Sequence, residues 1–480
     1  MPLILPGNVG SATAGAYSIA NSCRWNYADS PAMNKSQTAG NKKTWTYSWW
    51  CKRGVISGSA ENDWFKVYAS GSKLLHIRFN TNDTLYIEGE TPNSIRLTTN
   101  RVFRDPSAWY HFALIMDTTQ GTDTNRMKLF VNGTQETSFA SVTYPTENGD
   151  TAMNDSGATF YLGTTQSATE EFDGYMAEVV LLDGTAAAIG DLGEYDEDSP
   201  TIWKPKDPSG LSFGNNGFWL DFQASDNLGN DKNGGTDFTE SNLAATDQSI
   251  DSPTNNFCTL NPLLKGSYIT LSEGNLVETG NTATDAGNVA CTFPMPGGGK
   301  WYFELKITAV SGSYPKIAVF HDFESVPQGT YNGGSGGSNM HPSGASGNAV
   351  STTVQYGSTT LENPTENLSI TAPANGDTIQ FALDMDNGAI YVGVNGTFLN
   401  SGDPTSGASK TGKVADLTVT NQIMPMVSDY NGGATSWNFG SPNHSISSGN
   451  ADDNGYGNFE YDVPTGYFAL CSKNLGSDGG

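Results

Sequence analysis

The chain has 480 residues, 56 of them glycine, and charged side chains occupy only 15% of it, against about a quarter in an average soluble domain. Its 24 Lys and Arg face 50 Asp and Glu, a net charge of −26, which excludes a protein that tracks nucleic-acid phosphates and one drawn to an anionic membrane surface. An aromatic content of 11% supplies material for packed cores, and at about 150 residues per domain the length suits two or three domains.

Residues 1–15 form an N-terminal segment. Its first six residues are apolar, yet the run is short and lacks a basic flank, so no signal peptide is expected. No apolar run approaches the roughly 20 residues of a membrane span. From residue 16 to 193 the pattern is β throughout. Residues 44–51 alternate Trp45, Tyr47 and Trp49 with small side chains, and 65–68 and 75–79 keep the period of two. Residues 109–116 form a longer strand, and 126–131 run into Asn132-Gly133, the strongest short signal for a type I′ hairpin. Residues 160–163 and 175–182 complete this unit.

Residues 194–262 change texture, with acidic Glu194, Asp196, Glu197 and Asp198 followed by a stretch dense in Gly, Asn and Asp. Scattered aromatics (Phe213, Trp219, Phe238, Phe257) argue for an ordered, irregular connector packed on its neighbours. A second β unit covers 263–480. Residues 300–307 and 317–320 alternate, a Gly/Ser-rich loop covers 327–347, and 380–394 turn at Asn387-Gly388 before reaching a second Val-Asn-Gly-Thr at 394–397, the string already present at 131–134. The expected fold class is all-β, two sandwiches joined by a connector that reuse the same hairpin chemistry. Five widely spaced cysteines, Cys23, Cys51, Cys258, Cys291 and Cys471, contain no CxxC pair and point to buried thiols and synthesis in a reducing cytosol.

Few residues offer chemistry. Glycosidases need two flanking carboxylates; the nearest linear pattern, 194–198, superficially resembles the Glu-x-Asp core of β-glucanases but lacks a third, catalytic Glu, so a solvated acidic turn is expected. Five scattered histidines, His76, His111, His321, His341 and His444, give no basis for a Ser-His-Asp or zinc site, and His111 within a strand reads as structural. No catalytic residue is assigned. Calcium is a candidate cofactor: Asp231, Asn233 and Asp237 place oxygens at alternate positions around glycines, and Asp117 with Asp123 frames a second loop, the alternative being ordinary Asx turns. For sugars, Tyr331-Asn332 and Tyr430-Asn431 each set an aromatic ring beside an amide at a loop tip, whereas Trp45, Trp49, Trp109 and Trp301 read as core.

The ordered set Trp109-Tyr110-His111-Phe112, Leu129-Phe130-Val131-Asn132-Gly133, Tyr161-Leu162-Gly163 and Phe172-Asp173-Gly174-Tyr175-Met176-Ala177-Glu178 resembles the laminin-G/pentraxin-like branch of concanavalin A-like sandwiches over residues 16–190. The resemblance implies that the Trp-x-His strand, the Val-Asn-Gly hairpin and the Gly-x-hydrophobic-Ala-Glu strand are adjacent core elements. Unlike secreted pentraxins, the chain offers no evident stapling disulfide. Trp301-Tyr302-Phe303-Glu304, Gly376-Asp377-Thr378-Ile379, residues 383–388, Pro425-Met426-Val427 and Trp437-Asn438-Phe439-Gly440 resemble a SPRY domain, a recognition sandwich, over 263–475. The pairing of the two is similar to bacteriophage structural proteins. That implies a non-enzymatic virion protein, a head or tail appendage on the virion surface after cytoplasmic synthesis. Its partners would be other virion proteins, a host surface glycan or receptor, and copies of itself, with neither nucleic acid nor membrane insertion. The alternatives are a decoration or adaptor protein and a glycan depolymerase.

Overall fold

β-Branched and aromatic runs separated by Gly and Asn turns fold as strands in the computed structural model, which describes residues 17–56, 58, 62–71, 73–167, 170–281, 286–311, 316–321, 332–333, 354–355, 360–362, 367–369, 371, 374–417, 423–429 and 431–477. The chain divides into two units, Met1–Thr254 and Asn255–Gly480. Each is a β-sandwich.

In the first unit the strands are β1 (Ser22–Trp25), β2 (Ala32–Ser36), β3 (Thr44–Arg53), β4 (Asn62–Ser70), β5 (Lys73–Phe79), β6 (Thr84–Gly89) and β7 (Ile95–Val102). They continue as β8 (Trp109–Asp117), β9 (Met127–Val131), β10 (Thr134–Glu136), β11 (Phe139–Thr143), β12 (Thr159–Leu162) and β13 (Gly174–Asp183). One sheet runs β10-β9-β8-β3-β13-β1, and the other runs β11-β7-β6-β5-β4-β12-β2. The Val-Asn-Gly hairpin lies beside the Trp109 strand as expected, but β3 stands between β8 and β13, so the Gly174 strand is one place removed. Inward side chains of both sheets make one core. Tyr47 stacks on Phe65 with ring centroids 4.1 Å apart, and Trp49 on Phe112 at 5.3 Å. Trp45, Trp49 and Trp109 are buried.

The segment after residue 193 differs from the expected separate connector. Up to Thr254 it belongs to the first unit. Phe218–Leu220 pairs with β13, Gln248–Ser249 with β1, and Thr239–Ser241 with β2, so both sheets gain strands from it. Three of its acids seat on three basic side chains of the first strands: Asp247 on Arg24 at 3.2 Å, Asp231 on Lys35 at 3.1 Å, and Asp251 on Lys52 at 2.7 Å. The indole of Trp109 donates to the other oxygen of Asp251 at 3.0 Å.

In the second unit one sheet orders Leu260–Lys265, Ala286–Cys291, Ile423–Asp429, Lys316–His321 and Val354–Gln355. The other orders Ile269–Ser272, Val277–Gly280, Ala434–Asn438, Lys300–Ala309, Thr378–Asp384, Ala389–Val394 and Thr397–Phe398. Phe303 stacks between Phe381, at 5.0 Å, and Trp437, at 5.7 Å, in the core, where Trp301 is also buried. All five cysteines are buried thiols.

The two Val-Asn-Gly hairpins are built alike. Both central residues have positive φ, 46° and 75° at Asn132-Gly133 and 49° and 83° at Asn395-Gly396, as a type I′ turn demands. Asn132 donates its N–H to the His111 carbonyl at 2.9 Å and accepts the His111 N–H on Oδ1 at 2.8 Å. Asn395 does the same with Thr378, at 2.9 Å for both bonds. Each glycine is sealed by an aromatic ring from later in the chain: a Cβ on Gly133 would lie 2.3 Å from Trp203, and one on Gly396 2.8 Å from Tyr461. Gly133→Ala is therefore predicted to cost at least about 2 kcal/mol, because a left-handed alanine is strained and the indole must move. Gly121→Ala, where nothing lies within 4 Å, should stay within about 0.5 kcal/mol. Urea unfolding of both variants checks this, and equal midpoints would contradict it.

Candidate functional site

The pleat of the β11-to-β2 sheet decides what its outer face carries. Phe65 and Val67 of β4, Leu75 and Ile77 of β5, Leu85 and Ile87 of β6 and Phe160 of β12 point into the core, so the residues between them face outward. Register then sets these outward residues in a row. Asn34 stands opposite Tyr161, Tyr161 opposite Lys66, Lys66 opposite His76, His76 opposite Glu88, and Glu88 opposite Arg96. A second row places Arg78 opposite Tyr86 and Tyr86 opposite Thr98. The face combines two half-buried tyrosines with an amide, cations and one carboxylate.

Arg96 donates to Glu88 Oε1 at 2.6 Å, and the guanidinium of Arg78 lies 4.7 Å over the Tyr86 ring. Burial, helped by Glu88, pushes the Tyr86 hydroxyl up to about 12. His76 is pushed down to about 3, by burial first and then by the positive charges of Lys66 and Arg78, so its ring is neutral at neutral pH. Single-strand periodicity marks each of these residues as outward, yet only the pairing register brings them together, which is why the sequence did not single them out.

The residues expected to bind sugar fall elsewhere. Tyr331 and Tyr430 lie outside the described residues. Asn332 is in the short strand Asn332–Gly333, and Asn431 is exposed in a left-handed turn at φ 48°. Gly287 pairs with Asn332 on one side and with Asp429 on the other, so the sheet brings Asn332 and Asp429 to one strand end. Beneath it Asp429 and Glu278 are fully buried, and burial together with Asp429 holds the Glu278 carboxyl well above the usual range.

Asp231, Asn233 and Asp237 share a turn, but its carboxylates have protein partners. Asp231 receives Lys35 on Oδ2, and the Trp219 and Asn233 amides on Oδ1 at 3.0 and 3.2 Å. Asp237 accepts the Asp231 amide and the Asn227 side chain, both at 2.9 Å. The cation against Asp231 is thus an ammonium group. Asp117 accepts from Thr119 and Gln120 in an Asx turn, and Asp123 from the Thr124 amide. Among the described residues no three His, Cys, Asp or Glu side chains converge on a metal position.

The acidic run after the first unit's long strands is tied into a turn. Glu194 pairs with Lys206 at 3.2 Å, and buried Asp196 caps the amides of Asp198 and Ser199 while its other oxygen lies 3.1 Å from Lys204. Glu178 sits in a bulge of β13 at φ 48°. Tyr17 donates to its Oε2 at 3.0 Å, and burial pushes its carboxyl up to about 8.

His111 has the partners of a dyad and the wrong tautomer. Its Nε2 lies 2.8 Å from Ser48 Oγ, and the Trp203 indole donates to its Nδ1 at 3.0 Å. An indole N–H only donates, so Nδ1 is the acceptor and Nε2 carries the proton of the neutral ring. His111 therefore donates to Ser48 and cannot take its proton.

Residues 26–188 match the model of Laminin_G_3, described as the concanavalin A-like lectin/glucanases superfamily, a span that takes in β2 to β13. No curated protein matches the chain. Among solved structures, the SPRY domain of human HERC1 is 16% identical, with 37% of this chain and 96% of that one covered and a TM-score of 0.27. A heptameric SAP-like pentraxin from Limulus polyphemus is 15% identical, with 36% and 81% covered and a TM-score of 0.26. Domain 4 of the arabinanase AbnA from Geobacillus stearothermophilus, solved with arabinotriose, is 15% identical, with 33% and 68% covered and a TM-score of 0.24.

Burial pushes His111 down to about 3 in the folded chain, against 6.5 when it is free. As the pH falls below 6.5 the unfolded state binds this proton first. The stability held by the neutral ring is complete above pH 6.5 and is lost towards pH 3. His111→Gln is expected to flatten the fall in melting temperature between pH 7 and 4 relative to the wild type. Parallel curves for the two proteins would refute the assignment.

Proposed function

We propose that this chain is a non-enzymatic recognition protein, displayed on a bacteriophage virion as a head or tail appendage, that attaches to host surface glycans through the outer face of the first sandwich. The observation that carries the binding role is the cross-strand pair of rows, in which half-buried Tyr161 and the Arg78–Tyr86 stack stand beside the hydrogen-bonding groups of Asn34, Glu88 and Arg96. Sugars need both kinds of group, an apolar plate for the ring and polar atoms for the hydroxyls. The match of residues 26–188 to a lectin and glucanase superfamily supports a binding sandwich. The virion setting is supported by the pairing of motifs across the chain, and binding without turnover by a Ser48–His111 pair held in a tautomer that does not abstract a proton.

Purified protein is expected to bind host cells or their envelope polysaccharide and to release no new reducing ends from it. Tyr161→Ala and Tyr86→Ala should each weaken binding about tenfold, the effect of losing an aromatic anchor worth about 1.4 kcal/mol. Unchanged affinity in both variants would remove the sheet face from the proposal. Normal adsorption by virions lacking the protein would end the attachment role.

A further inference from the structure

We infer that the ligand of this face is an anionic glycan, carrying carboxylate, sulfate or phosphate groups, and that Lys66 is the residue that reads its charge. The inference rests on the glycan reading of the face and adds the chemistry of what it takes.

Lys66 is 8% exposed, and among the described residues it makes no hydrogen bond and no ion pair. Its position is unlike that of the other buried cations in the unit. Arg24, Lys35, Lys52 and Arg53 each hold a carboxylate, from Asp247, Asp231, Asp251 and Asp83. Its stem is packed into the sheet face while its ammonium group has no carboxylate partner there, so an anion arriving from solvent meets an unneutralised charge.

The groups around Lys66 do not supply the missing charge. Tyr161 and His76 stand opposite it on the neighbouring strands. The acids whose charge reaches His76 beside it are Glu170 and Glu88, and Arg96 already holds Glu88 at 2.6 Å. Arg78 and Arg96 bring further positive charge to the same face, on a chain whose net charge is −26. The chain as a whole repels anions, so the local charge of this face selects the ligand.

The shape of the site favours a polymer over a free ion. From Tyr161 on β12 to Arg96 on β7 the row crosses four strand spacings, about 19 Å, with Lys66 next to one end. A chain laid across the strands meets Tyr161, then Lys66, then the Arg78–Tyr86 stack and Arg96. Rings and charges alternate along it, as they do in an acidic polysaccharide.

The full-length protein should be titrated with sodium polygalacturonate, dextran sulfate, neutral dextran and polyglutamate. Binding of one or both acidic polysaccharides is expected, weakened severalfold between 50 and 300 mM salt on the order of a single screened contact, with dextran bound at least tenfold more weakly. Lys66→Met, which keeps the packed stem, should lose at least tenfold of that binding, and Lys66→Arg should retain most of it; melting curves of both variants report whether they fold. The preferred acidic polymer distinguishes a carboxylate from a sulfate ligand. Dextran bound as tightly as the acidic polysaccharides, or Lys66→Met folded and binding like the wild type, overturns the inference and leaves the glycan platform standing. Equal or tighter binding of polyglutamate assigns the face to acidic peptides and overturns it as well. Failure of all three polysaccharides to bind overturns both.

Discussion

The first sandwich depends on three ion pairs that join its last segment to its first strands. Asp247, Asp231 and Asp251 come late in the unit, and Arg24, Lys35 and Lys52 lie on β1, β2 and β3. Breaking a buried pair by removing one partner costs about 3–5 kcal/mol, because the remaining charge is stranded. That penalty acts on wrong arrangements more than it rewards the right one. A strand that slipped by one residue would bury an unpaired lysine or aspartate, so the pairs select one register for segments of two and three residues that could not select it by hydrophobic pattern alone.

Much of the fold was legible in the sequence because its signals are local. Alternation over residues 44–51 and 109–116 marked the inward Trp45, Trp49 and Phe112, and Asn-Gly at 132–133 and 395–396 marked two turns whose φ values are those the dipeptide favours. The segment 194–262 reads as a connector because its strands up to Thr254 are two or three residues long, too short for a period, and its acids look like ordinary turn residues. Asp231 illustrates the limit. Its neighbours in sequence suggested a calcium loop, whereas its partner Lys35 lies 196 residues away. The outer-face row was hidden for the same reason, since Tyr161 and Lys66 meet through strand pairing that no single strand announces.

The composition also takes a different meaning once the charges are placed. A chain with 24 basic residues against 50 acids uses several of the former inside the first sandwich, where they bind acids of the same chain. The surplus acid elsewhere opposes contact with other acidic surfaces. Positive charge on the outer face is thus scarce and localised, and this makes it informative.

The sealed hairpins fix an order of events. Trp203 covers Gly133 and supplies the N–H that sets the His111 tautomer, and Tyr461 covers Gly396, yet each ring is encoded well after the strands it closes. During synthesis, strands β8 and β9 leave the ribosome some seventy residues before the indole that completes them, a separation of roughly several seconds of elongation. Neither sandwich can finish from its N-terminal strands alone. Each closes from a later-made segment, so either sandwich cut short just after its own visible motifs would carry every recognisable signature and still be left open.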